Sequence, residues 1–190
     1  MAPEWLQIGN DMDGASVRDS AGQSVSLSKD GNVLAIGSPY HDVNGYGINE
    51  NSGHTRIYQY SSGSWSQLGS DIDGDEAYDS SGVSVSLSAD GSIVAIGANG
   101  DRYNGSGIGH TRIYKYSSGS WSQLGSDIDG VGQQDFSGYS VSLSDDGTIV
   151  AIGAYGSDGS QFNNGHTRIY QYSSESWSQL GSDIDGDEAY

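Results

Sequence analysis

The sequence predicts an all-β fold: a β-propeller built from four-stranded antiparallel blades, three blades per chain. Three observations carry that prediction. The phrase Trp-Ser-Gln-Leu-Gly-Ser-Asp-Ile-Asp-Gly stands intact at 65–74, 121–130 and 177–186, with the variant Trp-Leu-Gln-Ile-Gly-Asn-Asp-Met-Asp-Gly at 5–14. From Trp5 to Trp65, Trp121 and Trp177 the steps are 60, 56 and 56 residues, the mark of a tandem array. Between those tryptophans the same β-prone phrases recur in the same order, and no stretch sustains a helical period.

The whole of 1–190 reads as one repeat domain. An outer-strand segment occupies 5–14, repeats span 15–74, 75–130 and 131–186, and 187–190 is the truncated start of a further loop. In each repeat the first strand is Ser-Val-Ser-Leu, at 24–27, 84–87 and 140–143, which alternates small polar with apolar residues. The second, at 33–37, 93–97 and 149–153, is nearly continuous apolar, as a strand buried on both faces requires. Asp-Gly at 30–31, 90–91 and 146–147 marks the hairpin between them, since glycine accepts the positive φ of a tight turn. The third strand, at 55–60, 111–116 and 167–172, is rich in β-branched and aromatic residues, and a serine-rich turn leads from it into the tryptophan strand. Four short strands per repeat favour propeller blades over solenoid turns, with specificity written in the variable loop between strands two and three.

The chain resembles the FG-GAP repeat family of β-propellers, to which the integrin α-subunit head belongs. The motif's opening Phe-Gly is approximated by Phe136-Ser137-Gly138, Ser81-Gly82 and Ala21-Gly22. Its closing Gly-Ala-Pro is approximated by Gly37-Ser38-Pro39, Gly97-Ala98 and Gly153-Ala154. The resemblance covers essentially the whole chain. It implies a propeller fold and, as a family habit, Ca²⁺ held by oxygen ligands at alternating loop positions. The family's own metal loop, between the first two strands, is here shortened to the Asp-Gly hairpin, so Asp30, Asp90 and Asp146 read as turn residues.

A similar alternation occurs elsewhere. Asp71, Asp73, Asp75 and Asp79 stand at relative positions 1, 3, 5 and 9, a spacing able to wrap oxygens around a hard cation such as Ca²⁺. Asp11, Asp13 and Asp19, and Asp127, Asp129 and Asp135, form weaker sets, with Ala15 and Val131 at position 5. Against these sets stands the simpler reading that isoleucine anchors a strand end and its flanking carboxylates face water. His54, His110 and His166 fall at equivalent points of successive blades and read as structural, while His41 has no counterpart. Arg56, Arg112 and Arg168 read as partners of a repeated aspartate in an adjacent turn or blade. Trp65, Trp121 and Trp177 read as covers over the gap between blades. Aromatic and amide residues of the variable loops, Tyr40, Tyr46, Tyr103, Asn104, Tyr155, Phe162, Asn163 and Asn164, are the ligand-binding candidates.

The formal charge of −18 argues against nucleic acid and anionic membrane surfaces as partners. No cysteine is present, which removes disulfides and thiol catalysis. There is no long apolar run, and Met-Ala-Pro-Glu is not a signal peptide, although the resemblance favours an extracellular or cell-surface setting. No acid, base or nucleophile breaks the repeat pattern, so the chain is expected not to be an enzyme. Propellers use four to eight blades, so three repeats call for closure by oligomerisation, with a six-blade homodimer the expected form. The phrases at 5–14 and 177–186 then compete for one edge position. The expected function is a noncatalytic surface or secreted binding module that contacts glycan or protein through its variable loops. The alternative is a self-assembling structural scaffold with no small-molecule ligand.

Overall fold

A computed structural model describes residues 4, 6–42, 50–100, 107–156 and 164–186. All regular structure among them is β, in three successive sheets. Blade one holds β1 (Ser24–Leu27), β2 (Val33–Ser38), β3 (His54–Ser61), β4 (Ser64–Gln67) and β5 (Ile72–Asp73). Blade two holds β6 (Ser84–Leu87), β7 (Ile93–Ala98), β8 (His110–Ser117), β9 (Ser120–Gln123) and β10 (Ile128–Asp129). Blade three holds β11 (Ser140–Leu143), β12 (Ile149–Ala154), β13 (His166–Ser173), β14 (Ser176–Gln179) and β15 (Ile184–Asp185).

In blade one the order is β1-β2-β3-β4, all antiparallel, and the other blades repeat it. The tryptophan strand, expected as one piece, is split in two. β4 pairs with the far half of β3 through Tyr58↔Gln67 to Ser61↔Ser64, and β5 with its near end through His54↔Asp73 and Thr55↔Ile72. The break falls at Gly69, whose φ of 81° is open to glycine at little cost. This turn aims the Leu68 carbonyl at the next blade, where it accepts the indole N–H of Trp121 at 2.7 Å. Leu124 and Trp177 repeat the contact at 2.7 Å. Trp121 and Trp177 therefore do cover the gap between blades.

Blades pack face to face. Val33, Ala35, Ile57 and Ile72 of blade one meet Val85, Leu87, Val94 and Ile96 of blade two, and equivalent residues join blade two to blade three. The motif glycines set how closely the blades approach. A Cβ on Gly37 would stand 2.0 Å from the Gly82 carbonyl oxygen, and one on Gly97 1.9 Å from that of Gly138. Polar groups finish the junction: Ser24 Oγ donates to Gly82 O at 2.7 Å, and Leu87 N donates to Ser26 Oγ at 3.0 Å.

Candidate functional site

The loops that enter each blade and the loops between its second and third strands gather on one rim. Tyr78 N donates to Glu50 O at 2.7 Å, and Gly100 N to Asp79 O at 3.1 Å. Each entering loop carries two non-glycine residues with positive φ: Arg18 and Ser20, Tyr78 and Ser80, Gln134 and Phe136. The intervening aspartate holds that conformation. Asp19 accepts from Ser16 N at 2.6 Å, Asp79 from Glu76 N at 3.1 Å, and Asp135 from Val131 N and Gly132 N, both at 2.9 Å. Asp19, Asp79 and Asp135, proposed as ligands from their spacing, thus fasten the backbone of their own loops. Burial pushes the Asp79 carboxyl above its ordinary range.

Asp71, Asp127 and Asp183 meet the repeated arginines, as the sequence led us to expect. Arg56 reaches Asp71 at 2.8 Å, Arg112 reaches Asp127 at 2.9 Å and Arg168 reaches Asp183 at 2.6 Å. Burial opposes ionisation of Asp71 and Asp127, but the guanidinium bonds and a bond from Gln67 or Gln123 outweigh it and hold both carboxyls low. Asp183 is held at about 2, chiefly by its bond from Arg168. Asp75, in the loop that enters blade two, turns instead to that blade's third strand, where its carboxylate lies 2.8 Å from Arg112 Nη1. Ala15 and Val131 occupy that place in the other repeats, so Arg112 alone of the three has this second anion among the described residues.

The spaced aspartates therefore do not converge on a common point. Among the described residues, three or more candidate ligands come within 4.8 Å of one another only at His54, Asp71 and Asp73. His54 is buried and its Nδ1 has no hydrogen-bond partner among these residues. Burial, with His41 and Arg56 adding to it, depresses its pKa to about 4. Burial and the Asp71 charge raise that of Asp73. Both Asp71 oxygens are already engaged, one by Arg56 and the other by Gln67 at 2.6 Å, so a cation would compete there with a guanidinium or an amide. Asp11 is exposed and accepts from Gln7 at 2.7 Å, while Asp13 and Asp129 are exposed.

His41 is the residue that the repeat pattern gave no reason to choose. Its Nδ1 lies 3.1 Å from Asp19 Oδ1, and its ring centroid 4.1 Å from that of His54. Of the loop candidates, Tyr46, Tyr103, Asn104, Phe162 and Asn163 lie outside the described residues. Tyr40 is exposed and borders a cleft of about 550 Å³ with Arg18, Asp42 and Glu50. Tyr155 has a packing duty: it stacks on buried Phe136 with ring centroids 4.9 Å apart and planes within 7°. Exposed Tyr139 meets its edge at 4.6 Å, and both tyrosines border a cleft of about 400 Å³ with Asn164 and Asp185. A third cleft, of about 410 Å³, lies beside Tyr78, Asp79 and His110. These three clefts lie one at each blade.

No protein-family model and no curated protein sequence matches the chain. Solved structures do. Sqt1 of Saccharomyces cerevisiae superposes with a TM-score of 0.54 at 13% identity over 95% of this chain and 39% of its own. Hydrazine synthase of Kuenenia stuttgartiensis gives 0.53 at 11% identity, over 85% of this chain and 36% of its own. A 6-phosphogluconolactonase-like protein of Bacteroides uniformis gives 0.51 at 14% identity, over 91% and 44%. The chain spans well under half the length of each, and what it shares with them is a propeller-like fold. None of the three is an FG-GAP or integrin protein.

Proposed function

We propose that this chain is a noncatalytic propeller-type binding module, akin to the FG-GAP repeats, that takes glycan on its loop rim. The observation that carries the reading is the tyrosine pair of blade three. Tyr139 and Tyr155 are 52% and 37% exposed, meet edge to face with Tyr155 stacked on Phe136, and share a cleft with an amide and a carboxylate. A sugar offers an apolar C–H face to such a ring and hydroxyls to Asn164 and Asp185. The Asp19–His41 pair supports the noncatalytic part of the reading, since neither residue lines the neighbouring cleft. A surface or secreted setting belongs to the same proposal and rests on the family resemblance.

A glycan array followed by titration of the best hit tests the reading. Tyr139→Ala and Tyr155→Ala should each weaken binding about tenfold or more, the loss of one aromatic contact. Silence on the array, or binding indifferent to both substitutions, would overturn it. The second reading, a scaffold whose activity is association with itself, draws on the exposed apolar residues Val25, Leu27 and Ile184 at the two ends of the array.

A further inference from the structure

The junction between blades is built twice within the chain, and each end of the array presents one half of it. Where a neighbour is present the apolar residues are covered: Val85 and Leu87 are 8% and 7% exposed, Ile72 and Ile128 6% and 5%. Their equivalents at the ends are bare, with Val25 and Leu27 61% and 58% exposed on blade one and Ile184 57% exposed on blade three. The polar fittings follow the same rule. Ser26 Oγ receives Leu87 N and Ser86 Oγ receives Leu143 N, but the equivalent Ser142 of blade three is exposed. In the hairpins Lys29 N donates to Ala89 O and Ala89 N to Asp145 O, so the register repeats from blade to blade. A Cβ on Gly37 or Gly97 would strike the next blade's backbone, whereas the nearest atoms to one on Gly153 belong to Ser140 of its own blade, whose hydroxyl at 2.3 Å can turn aside.

We propose that a second copy of this chain covers these faces. Its blade one packs on blade three of the first in the register that blade two takes on blade one, and two chains close head to tail into a ring of six blades. The partner follows from continuity with an existing interface: the two bare faces belong to a junction the chain already forms within itself. This reading is independent of the glycan proposal, which concerns the rim.

The N-terminal phrase holds a place in this junction. Ile8 O accepts the Trp65 indole N–H at 3.2 Å, as Leu68 O does for Trp121, and a Cβ on Gly9 would press on the Trp65 ring. Yet residues 6–14 pair in no strand, whereas β14 and β15 are bonded to β13. They shield the tryptophan end of the face and leave Val25 and Leu27 bare. In the ring, Leu180 and Gly181 of the second copy displace Ile8 and Gly9. The two copies of the phrase thus meet at one junction, where the N-terminal one yields.

Light scattering with a dilution series tests the proposal. The chain should give twice the 19.9 kDa of one copy. Leu27→Asp and Ile184→Asp, both at positions exposed in the single chain, should each raise the dissociation constant about a hundredfold with the far-UV circular dichroism unchanged. Mixed together, the two variants supply one intact junction and should regain a two-chain mass, which a face-to-face dimer would not allow. The chain lacking residues 1–14 should associate at least as tightly. A one-chain mass at every concentration, a dissociation constant unchanged in either variant alone, or a mixture that associates no more tightly than either variant alone would overturn the proposal. So would a mass that grows without limit, which means a junction that never closes, or weaker association without residues 1–14.

Discussion

Acidification from pH 7 to pH 5 should destabilise this chain through one imidazole. His54 has its pKa depressed from 6.5 to about 4 by burial, with His41 and Arg56 adding to the effect. Between those values the unfolded chain binds a proton that the native chain refuses. The associated stability is therefore fully present above the unfolded pKa and is lost as pH falls toward the folded one. One pKa unit is worth about 1.4 kcal/mol, so the whole shift amounts to roughly 3 kcal/mol, of which about 2 kcal/mol is gone by pH 5. Urea unfolding followed by tryptophan fluorescence, at fixed protein concentration, measures it in the native sequence and in His54→Gln. Asp73 and Asp79, whose pKa values are raised, titrate in both proteins and largely cancel in the difference. The native sequence should lose about 2 kcal/mol more than the variant between pH 7 and pH 5. Parallel losses would refute the reasoning, because they would mean that His54 takes up its proton in the folded state as easily as in the unfolded one.

Arg112→Gln should cost about 1–3 kcal/mol in urea unfolding, since it strands the half-buried Asp127, whereas Asp75→Asn should cost less than about 0.5 kcal/mol because that carboxylate is mostly exposed. Equal costs would mean that the contact from the entering loop matters as much as the one from the tryptophan phrase. Gly97→Ala should destabilise by more than about 3 kcal/mol, because its Cβ would stand 1.9 Å from the Gly138 carbonyl oxygen, and Gly153→Ala in the isolated chain by less than about 1 kcal/mol. Thermal melts at low concentration, where any assembly is dissociated, would expose a failure of that contrast. Millimolar Ca²⁺ should leave the melting temperature within about 1 °C, since Asp71 and Asp75 are held by guanidinium groups. A saturable rise would show that a cation can displace them.

Whatever repeats within one blade could be read from the sequence. The alternation of Ser-Val-Ser-Leu, the apolar run after each Asp-Gly and the pairing of Arg56 with a repeated aspartate are all written in residue patterns that recur in every repeat, and all three were found. The split of the tryptophan strand was not legible, because its cause lies in the neighbouring blade: Leu68 must turn its carbonyl to Trp121, and the phrase 65–74 by itself reads as one strand. Asp75 stands in a run of alternating carboxylates that looked like chemistry within the loop, but its partner, Arg112, lies on the third strand of the blade that the loop enters, far from it in sequence. His41 escaped because repetition was the signal being followed, and a residue with no counterpart sends none, yet it stands between Asp19 and His54.

Repetition also conceals a difference that only position in the array creates. Gly37, Gly97 and Gly153 each end the phrase Ala-Ile-Gly in the second strand, and the sequence alone gives all three the same role. Two of them are fixed by the backbone of the following blade, and the third faces none. The physical constraint that makes glycine necessary is therefore written three times and enforced twice within one chain. Gly153 without a following backbone against it, a bare Ile184 and a bare Leu27 are the same fact stated at three places: each is a group shaped for a neighbouring blade.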